Sequence, residues 1–165
     1  MSNNNNNANE VDLTQDIFAA LIDNHEIQRA LCDKLESTKD EAQRKAIYEE
    51  LKLELHSHAA AEERHLYVPV MQHDDGLDLS RHAITEHHEM DELVEKLEET
   101  DMSNPSWLAT AKQLSEKVHH HLKEEEHKFF QQAGKILEDD EKEKLGKKYL
   151  TEYQKYKNAD RSFSL

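Results

Sequence analysis

The stretch His58-Ala-Ala-Ala-Glu62 decides how this chain is organised, and His121-Leu-Lys-Glu-Glu125 is its counterpart. Each stretch places an imidazole and a carboxylate four residues apart. Residues four apart on an α-helix lie one above the other on the same face. Each pair can therefore bind one metal ion, or the two pairs can share two ions. The spacing of 63 residues between the pairs predicts two helical hairpins built on one plan.

Composition and apolar spacing predict an all-α fold. Glycine (3) and proline (2) are scarce among the 165 residues, which leaves few turn residues for a many-stranded sheet. Four segments carry apolar residues at helical spacing, with short polar turns between them. We therefore predict an up-down-up-down four-helix bundle with an additional C-terminal helix. The predicted helices span about residues 12–36, 41–71, 78–99, 105–133 and 138–157.

The predicted domain organisation has three parts: an Asn-rich disordered tail (1–11), the bundle (12–135), and the C-terminal helix with a loose tail (136–165). Pro69 predicts a kink or a helix end, because proline lacks the N–H that a helix interior needs. His73-Asp-Asp-Gly76 is predicted as a loop, and Gly134 as a helix end or hinge.

Charge and cysteine content limit the partners and the compartment. A formal net charge of -15 argues against nucleic acid and anionic membranes as partners. The sequence contains no apolar run long enough to cross a membrane, and residues 1–9 do not resemble a secretory signal. A single cysteine, Cys32, excludes an intramolecular disulfide and a multi-cysteine zinc site. We expect a cytoplasmic protein, either a monomer or a homodimer.

Six residues at core positions of the predicted helices are candidate metal ligands: His25, His58, Glu62, His87, His121 and Glu125. Two buried carboxylates cost several kcal/mol unless a positive charge lies between them, and no Lys or Arg shares their stripes. Histidine with carboxylate suits iron, manganese or zinc. Four imidazoles, two bridging carboxylates and a bridging oxide or hydroxide would leave up to two open positions on two octahedral ions.

The residues alone leave alternatives open. A single histidine on an apolar stripe is more often a hydrogen-bonded core residue, and a glutamate four residues after a histidine is usually a solvated partner. The presence of two such pairs, each joined by a stripe histidine on the preceding helix, favours metal binding. On the third helix, His88 competes with His87. Glutamates beside the stripes are predicted as surface charges unless a one-residue helix rotation turns one inward: Glu63, Glu124 and Glu126.

The remaining aromatic and histidine residues have simpler predictions. Tyr67 and Trp107 are predicted to pack at the ends of the bundle, and Cys32 to fill the core. The tyrosine face of the last helix is predicted to dock on the bundle or on another subunit. Six histidines are predicted at the surface, the last two also being possible supports for the ligands: His56, His119, His120, His127, His65 and His82.

These residues resemble the hemerythrin family, specifically its bacterial HHE cation-binding domains. The family pattern H…HxxxEE…(L/F)YP…EH…HxxxEE…(L/F)(F/Y) is matched over about residues 12–135. The matching segments are Asn24-His25, 58–69, Glu86-His87 and 121–130. The resemblance implies a non-heme di-iron centre, oxo- or hydroxo-bridged, that binds O2 or a similar diatomic or peroxide ligand. It also implies that the four histidines are terminal ligands and that Glu62 and Glu125 bridge the two iron ions.

Two departures separate this chain from the oxygen-carrying hemerythrins. Those proteins have a second histidine four residues away on the third helix, where this chain has Ala83 and Asp91 on either side of His87. They also use a wider HxxxxD spacing on the fourth helix. One iron therefore lacks a ligand or takes one such as Asp91, which argues against reversible O2 carriage.

The resemblance predicts a di-iron protein for O2 or redox sensing, O2 or NO handling, or iron sequestration. A di-iron enzyme acting on peroxide or NO is the alternative. A metal-free acidic bundle that binds a partner through the tyrosine face of its last helix is the second alternative. Metal content and turnover of peroxide or NO distinguish the three.

Overall fold

The computed structural model describes residues 15–162, with side chains to residue 159, and these residues form five helices. Three are regular α-helices: α1 (Ile17–Ser37), α3 (Asp74–Glu99) and α5 (Asp139–Ser162). The other two contain a π-helical turn between two α-helical parts. They are α2 (Glu41–Glu62, Glu63–Tyr67, Val68–Met71) and α4 (Pro105–Glu124, Glu125–Phe129, Phe130–Ile136). The tail predicted for residues 1–11 lies outside the described residues.

Helices α1 to α4 form the predicted four-helix bundle, with short connections between consecutive helices. Helix α1 packs against α2 and α4, and α3 packs against α4. Helix α5 lies against α1 and α2, so it covers only one side of the bundle. The prediction of an all-α bundle with an additional C-terminal helix is confirmed.

Side-chain caps fix the starts of three bundle helices. The carboxylates of Asp16 and Asp40 accept hydrogen bonds from the N–H groups of Ala19 (2.8 Å) and Gln43 (2.9 Å). Asn104 caps α4 in the same way, and Pro105 is the first helical residue, where the predicted helix 105–133 begins. Because Asp16 is the cap, α1 begins at Ile17 and not at the predicted residue 12.

The predicted start of α3 and the predicted ends of α4 and α5 were wrong. Residues 74–76 belong to α3 and not to a loop, because two aspartates in the first turn favour a helix N-terminus. Gly76 lies so close to the end of α2 that an added Cβ would be 3.1 Å from the carbonyl carbon of Val70. Gly134 lies inside α4, which continues to Ile136, and α5 continues to Ser162.

Both π-helical turns follow directly on the sequence motifs. The N–H of Val68 donates to the carbonyl of Glu63, and the N–H of Phe130 donates to that of Glu125, which are five-residue spacings. Proline is not required for this geometry, since the turn in α4 has none, and α2 ends at Met71, two residues after Pro69. Such turns are frequent at functional sites, where they redirect side chains.

Two apolar clusters fill the bundle, one toward each end. The first cluster includes Ile17, Leu66 and Phe129, and the second includes Leu35 and Trp107. As predicted, Trp107 lies at an end of the bundle, where its indole N–H donates to the carbonyl of Leu97 (3.2 Å). The six candidate ligands lie between these clusters along α1 to α4, so a polar layer separates two apolar ones.

Candidate metal centre

The six predicted ligands converge in the middle of the bundle. All are buried, with exposed fractions of 5% or less. Each of α1 to α4 contributes one histidine, and α2 and α4 each add a glutamate from the next helical turn. Helical periodicity therefore correctly placed all six residues on inward faces.

These residues form two groups that share both glutamates. His25 and His58 make one group with Glu62 and Glu125, and His87 and His121 make the other with the same glutamates. In each group, one ligand atom from every residue lies within 4.8 Å of all the others.

Close contacts join each imidazole to a carboxylate. The distances between histidine Nε2 and glutamate oxygen are 3.2 Å for His58–Glu62 and 3.3 Å for His87–Glu62. They are 3.2 Å for His25–Glu125 and 3.4 Å for His121–Glu125. All four Nε2 atoms thus face the two central carboxylates.

Several of these buried atoms form no hydrogen bond within the protein but are suited to bind a cation. Among the described residues, Nε2 of His25 and of His58, one oxygen of Glu62 and one of Glu125 form no hydrogen bond, although both nitrogens lie 3.2 Å from a carboxylate oxygen. Unpartnered buried polar atoms are costly and rare. Nitrogen and carboxylate ligands converging in this way suit iron, manganese or zinc, so the residues present fit a metal centre.

Without a cation, protons on the histidines offset the negative charge of the central carboxylates. Burial lowers the pKa of His25, but the nearby carboxylates of Glu125 and Glu126 outweigh it and raise this pKa to about 9. His121 follows the same pattern, and its pKa rises to about 10. Burial also favours protonated Glu62, yet the charge of His58 holds the pKa of that carboxyl well below its usual range. A binding cation would displace these histidine protons.

Comparison with known proteins identifies the family. Residues 16–133 match the hemerythrin HHE cation-binding domain. This chain belongs to that family. A crystal structure of a hemerythrin HHE cation-binding domain-containing protein from Mycobacterium kansasii is similar, with a TM-score of 0.78 and 23% identity. That similarity covers 88% of this chain and 89% of the other, and it supports the fold. No curated protein matches the chain at a significant level.

The outward nitrogens of three histidines in this HHE domain face carboxylates. Nδ1 of His87 lies 3.2 Å from Glu63, and Nδ1 of His121 lies 3.0 Å from Glu86. Nδ1 of His25 lies 3.5 Å from Glu126, an ion-pair distance at which it forms no hydrogen bond. Such partners fix the tautomer and the ring orientation of a metal-binding histidine. Glu63 and Glu126 are partly exposed, in keeping with the prediction of surface charges, but each also lies beside a central histidine, which the prediction did not include.

Helix α5 supplies the partner of the fourth histidine. The hydroxyl of Tyr149 lies 2.8 Å from Nδ1 of His58 and donates to Asn24. On the same face, the Tyr153 hydroxyl donates to the buried carboxylate of Glu54 (2.6 Å). The predicted tyrosine face thus docks on the bundle and contributes to the HHE domain's site.

Tyr67 belongs to the centre of the bundle. The prediction that it packs at an end of the bundle was wrong. Its hydroxyl donates to Glu62 (2.7 Å) and to Glu125, and it lies 3.3 Å from Nε2 of His87. Residues five apart in an α-helix point about 140° away from each other, so a regular helix would separate Glu62 from Tyr67. The π-helical turn between them brings both side chains to one side, which periodicity at 3.6 residues could not reveal.

The competing candidates lie farther out. His88 has a side chain that is 75% exposed and pairs with Glu92 (3.4 Å). Asp91 lines a small cavity beside His87 but belongs to neither group of four. Cys32 is buried, as predicted, and burial raises the pKa of its thiol to about 12. In the described part of the chain, no helix is long and apolar enough to cross a membrane.

Proposed function

We propose that this HHE domain binds two iron ions and that the pair binds O2 or a related small ligand. One observation carries the proposal: both groups of four residues use the same two glutamates. A shared carboxylate has two oxygens and can serve one ion with each. His25 and His58 would hold one iron, while His87 and His121 would hold the other. Bundle di-iron sites are built in this way from facing helices.

A small cavity beside the histidines supports a small ligand. It has a volume of about 20 Å³ and is lined by His58, His87 and His121 together with apolar side chains such as Leu55 and Met90. A space of this size holds roughly one water molecule. It suits a diatomic ligand better than an organic substrate.

The cavity also contains a free hydrogen-bond donor. The amide nitrogen of Gln28 is buried and has no partner among the described residues. It can donate to a ligand in the cavity, which is lined by both apolar and polar side chains. On the other side of the carboxylates, the Tyr67 hydroxyl holds a proton that it already donates to Glu62 and Glu125. Bound iron would supply open coordination positions and electrons for the ligand.

Metal analysis of the purified full chain, with an absorption spectrum in air, tests the proposal. We expect two iron ions per chain, and one or none would contradict the shared-carboxylate scheme. His87→Ala should lower the iron content, whereas His88→Ala, a matched change at the next residue, should leave it unchanged. Equal losses in both variants would mean that the third helix is turned differently from the proposal.

Turnover measurements separate a ligand-binding protein from an enzyme. A spectral band that forms with O2 and disappears when O2 is removed supports the binding function. Steady-state consumption of peroxide or NO, abolished by Glu62→Ala, would instead support the enzyme. The cavity's small volume does not separate the two functions by itself, because peroxide and NO are small enough to enter it as well as O2.

A further inference from the structure

A second group of histidines and glutamates lies on the surface where α3 and α4 meet. His82 and Glu86 are four residues apart on α3, and His120 and Glu124 are four apart on α4. This is the same His-x-x-x-Glu spacing as in the central motifs. Helix α4 therefore carries two such pairs offset by one residue, one facing the core and the other facing solvent.

One ligand atom from each of His82, Glu86 and Glu124 lies within 4.8 Å of the other two, and His120 lies beside this group of three. Nε2 of His82 lies 3.3 Å from Glu124 and 3.4 Å from Glu86. Nε2 of His120 lies 3.0 Å from Glu124 and 4.0 Å from Glu86. Ligand bonds of 2.0–2.2 Å in a tetrahedron place ligand atoms about 3.4 Å apart. Both distances from His82 are close to that value. Those from His120 run to the other oxygen of each carboxylate, so its exposed imidazole would have to turn to complete the set.

The surface group is connected to the central site. Glu86 is largely buried, and one of its oxygens also accepts from Nδ1 of His121 (3.0 Å). A cavity of about 20 Å³ between α3 and α4 is lined by His82, Glu86 and Glu124 together with His121 and Glu125. Small cations can therefore approach the group from solvent, and the carboxylate of Glu86 lies between it and the centre.

The alternative is a set of ordinary ion pairs. Lys128 is the lysine that pairs with Glu124 here, but its nitrogen is 3.8 Å away and its side chain is 71% exposed. The imidazoles of His82 and His120 are 56% and 67% exposed, so dissolved cations can reach both. The acidic surface of the chain raises the local concentration of such cations.

We propose that His82, Glu86, His120 and Glu124 form a second, surface-facing binding site for a divalent transition-metal cation such as Zn²⁺. Two imidazoles and two carboxylates from two helices make the four ligands that Zn²⁺ prefers. This site is distinct from the central one, since its histidines face solvent and belong to neither central group.

Titration of the iron-loaded full-length protein with Zn²⁺, followed by calorimetry, tests the site. The variant is His82→Ala/His120→Ala, and the matched control is His88→Ala/His127→Ala, which also removes two exposed histidines. Iron content and absorbance are measured before and after each titration, and circular dichroism checks the fold. If the centre takes up no iron, the same comparison is made on the protein as purified.

We expect one more Zn²⁺ per chain in the wild type and the control than in the double variant, whose affinity should fall at least tenfold. Equal binding by all three proteins would overturn the proposal. Release of one iron for each Zn²⁺ bound would also overturn it, because the added cation would then have entered the central site. The iron content of the untitrated protein reports separately on the function proposed above.

Discussion

The two halves of the bundle, α1–α2 and α3–α4, direct the same types of candidate ligand atom toward the centre but support them differently. Two supports are equivalent across the halves. His25 faces Glu126, and His87 faces Glu63, each glutamate following the central carboxylate of the other half. The sequence repeat therefore extends to these pairs.

The other two supports differ. His121 faces the carboxylate of Glu86, whereas His58 faces the hydroxyl of Tyr149, because Asn24 occupies the position that corresponds to Glu86. Helix α5 packs on α1 and α2, so a neutral side chain from outside the bundle completes the first half. The second half has a carboxylate in the corresponding position, and α5 packs on the other half. Two equal sets of ligands can thus bind cations with unequal strength.

Removal of a shared glutamate should have the largest effect, since it breaks both halves together. We expect Glu62→Ala or Glu125→Ala to weaken metal binding by more than about 100-fold, beyond the usual loss for an outer partner. Metal analysis after gel filtration measures this loss, and Glu92→Ala, an exposed glutamate, is the control. Retention of half the metal would show that each half binds its ion without the other.

Stability of the metal-free protein should depend on pH through histidines of both halves. The pKa values of His25 and His121 are raised above 6.5, to about 9 and about 10. Their contribution is fully present below pH 6.5 and is lost as the pH rises through 9 to 10. We expect a loss on the order of a few kcal/mol in the free energy of unfolding over that range.

The low pKa of Glu62 adds the opposite dependence, because its contribution is lost as the pH falls below about 4.5. Urea unfolding at a series of pH values measures both slopes. With metal bound, the histidines carry no proton to lose, and the alkaline slope should disappear. An equal slope with and without metal would contradict this assignment.

Substitutions of the two unequal supports should weaken metal binding to different extents in the two halves. Glu86→Gln removes a charged partner of His121 and should weaken metal binding by about 10–100-fold. Tyr149→Phe removes a neutral hydrogen bond to His58, and its effect should be smaller, because bonds to charged groups are the stronger ones. Stepwise metal titration monitors the two ions. Equal effects of the two substitutions would mean that the difference between the halves has no energetic consequence.

Docking of α5 on the first half gives the smallest expected effect. A Cβ at Gly146 would lie 2.7 Å from the backbone of Asp16 and of Ile17, so Gly146→Ala should destabilise the protein by about 1–3 kcal/mol. Gly134→Ala is the matched control, since its Cβ meets nothing within 4 Å, and it should stabilise α4 by up to about 1 kcal/mol. Thermal unfolding measures both. A stable Gly146→Ala variant would show that α5 can shift on α1.

Helical periodicity was enough to predict the fold and the six central residues, because ligands that replace core side chains keep the 3.6-residue spacing. The outer partners could not be found in this way. Glu63 and Glu86 lie beside the stripe, where a helical wheel places solvent-exposed residues. The recurrence of a second glutamate after the central one, as Glu62-Glu63 and Glu125-Glu126, was the available signal for Glu63, whereas Glu86 has no such counterpart because Asn24 precedes His25. Tyr149 offered none, since its role depends on how α5 docks.

The π-helical turns each add one residue to α2 and α4 next to the site. Each turn accommodates one residue more than an α-helix would, so the chain beyond it has its own rotational register. Deleting one residue such as Arg64 would leave Glu62 and Tyr67 four residues apart in a regular helix, only about 40° from each other, and would change no candidate ligand. A single codon could therefore be lost from this segment while the candidate ligands and the inward position of Tyr67 are both kept.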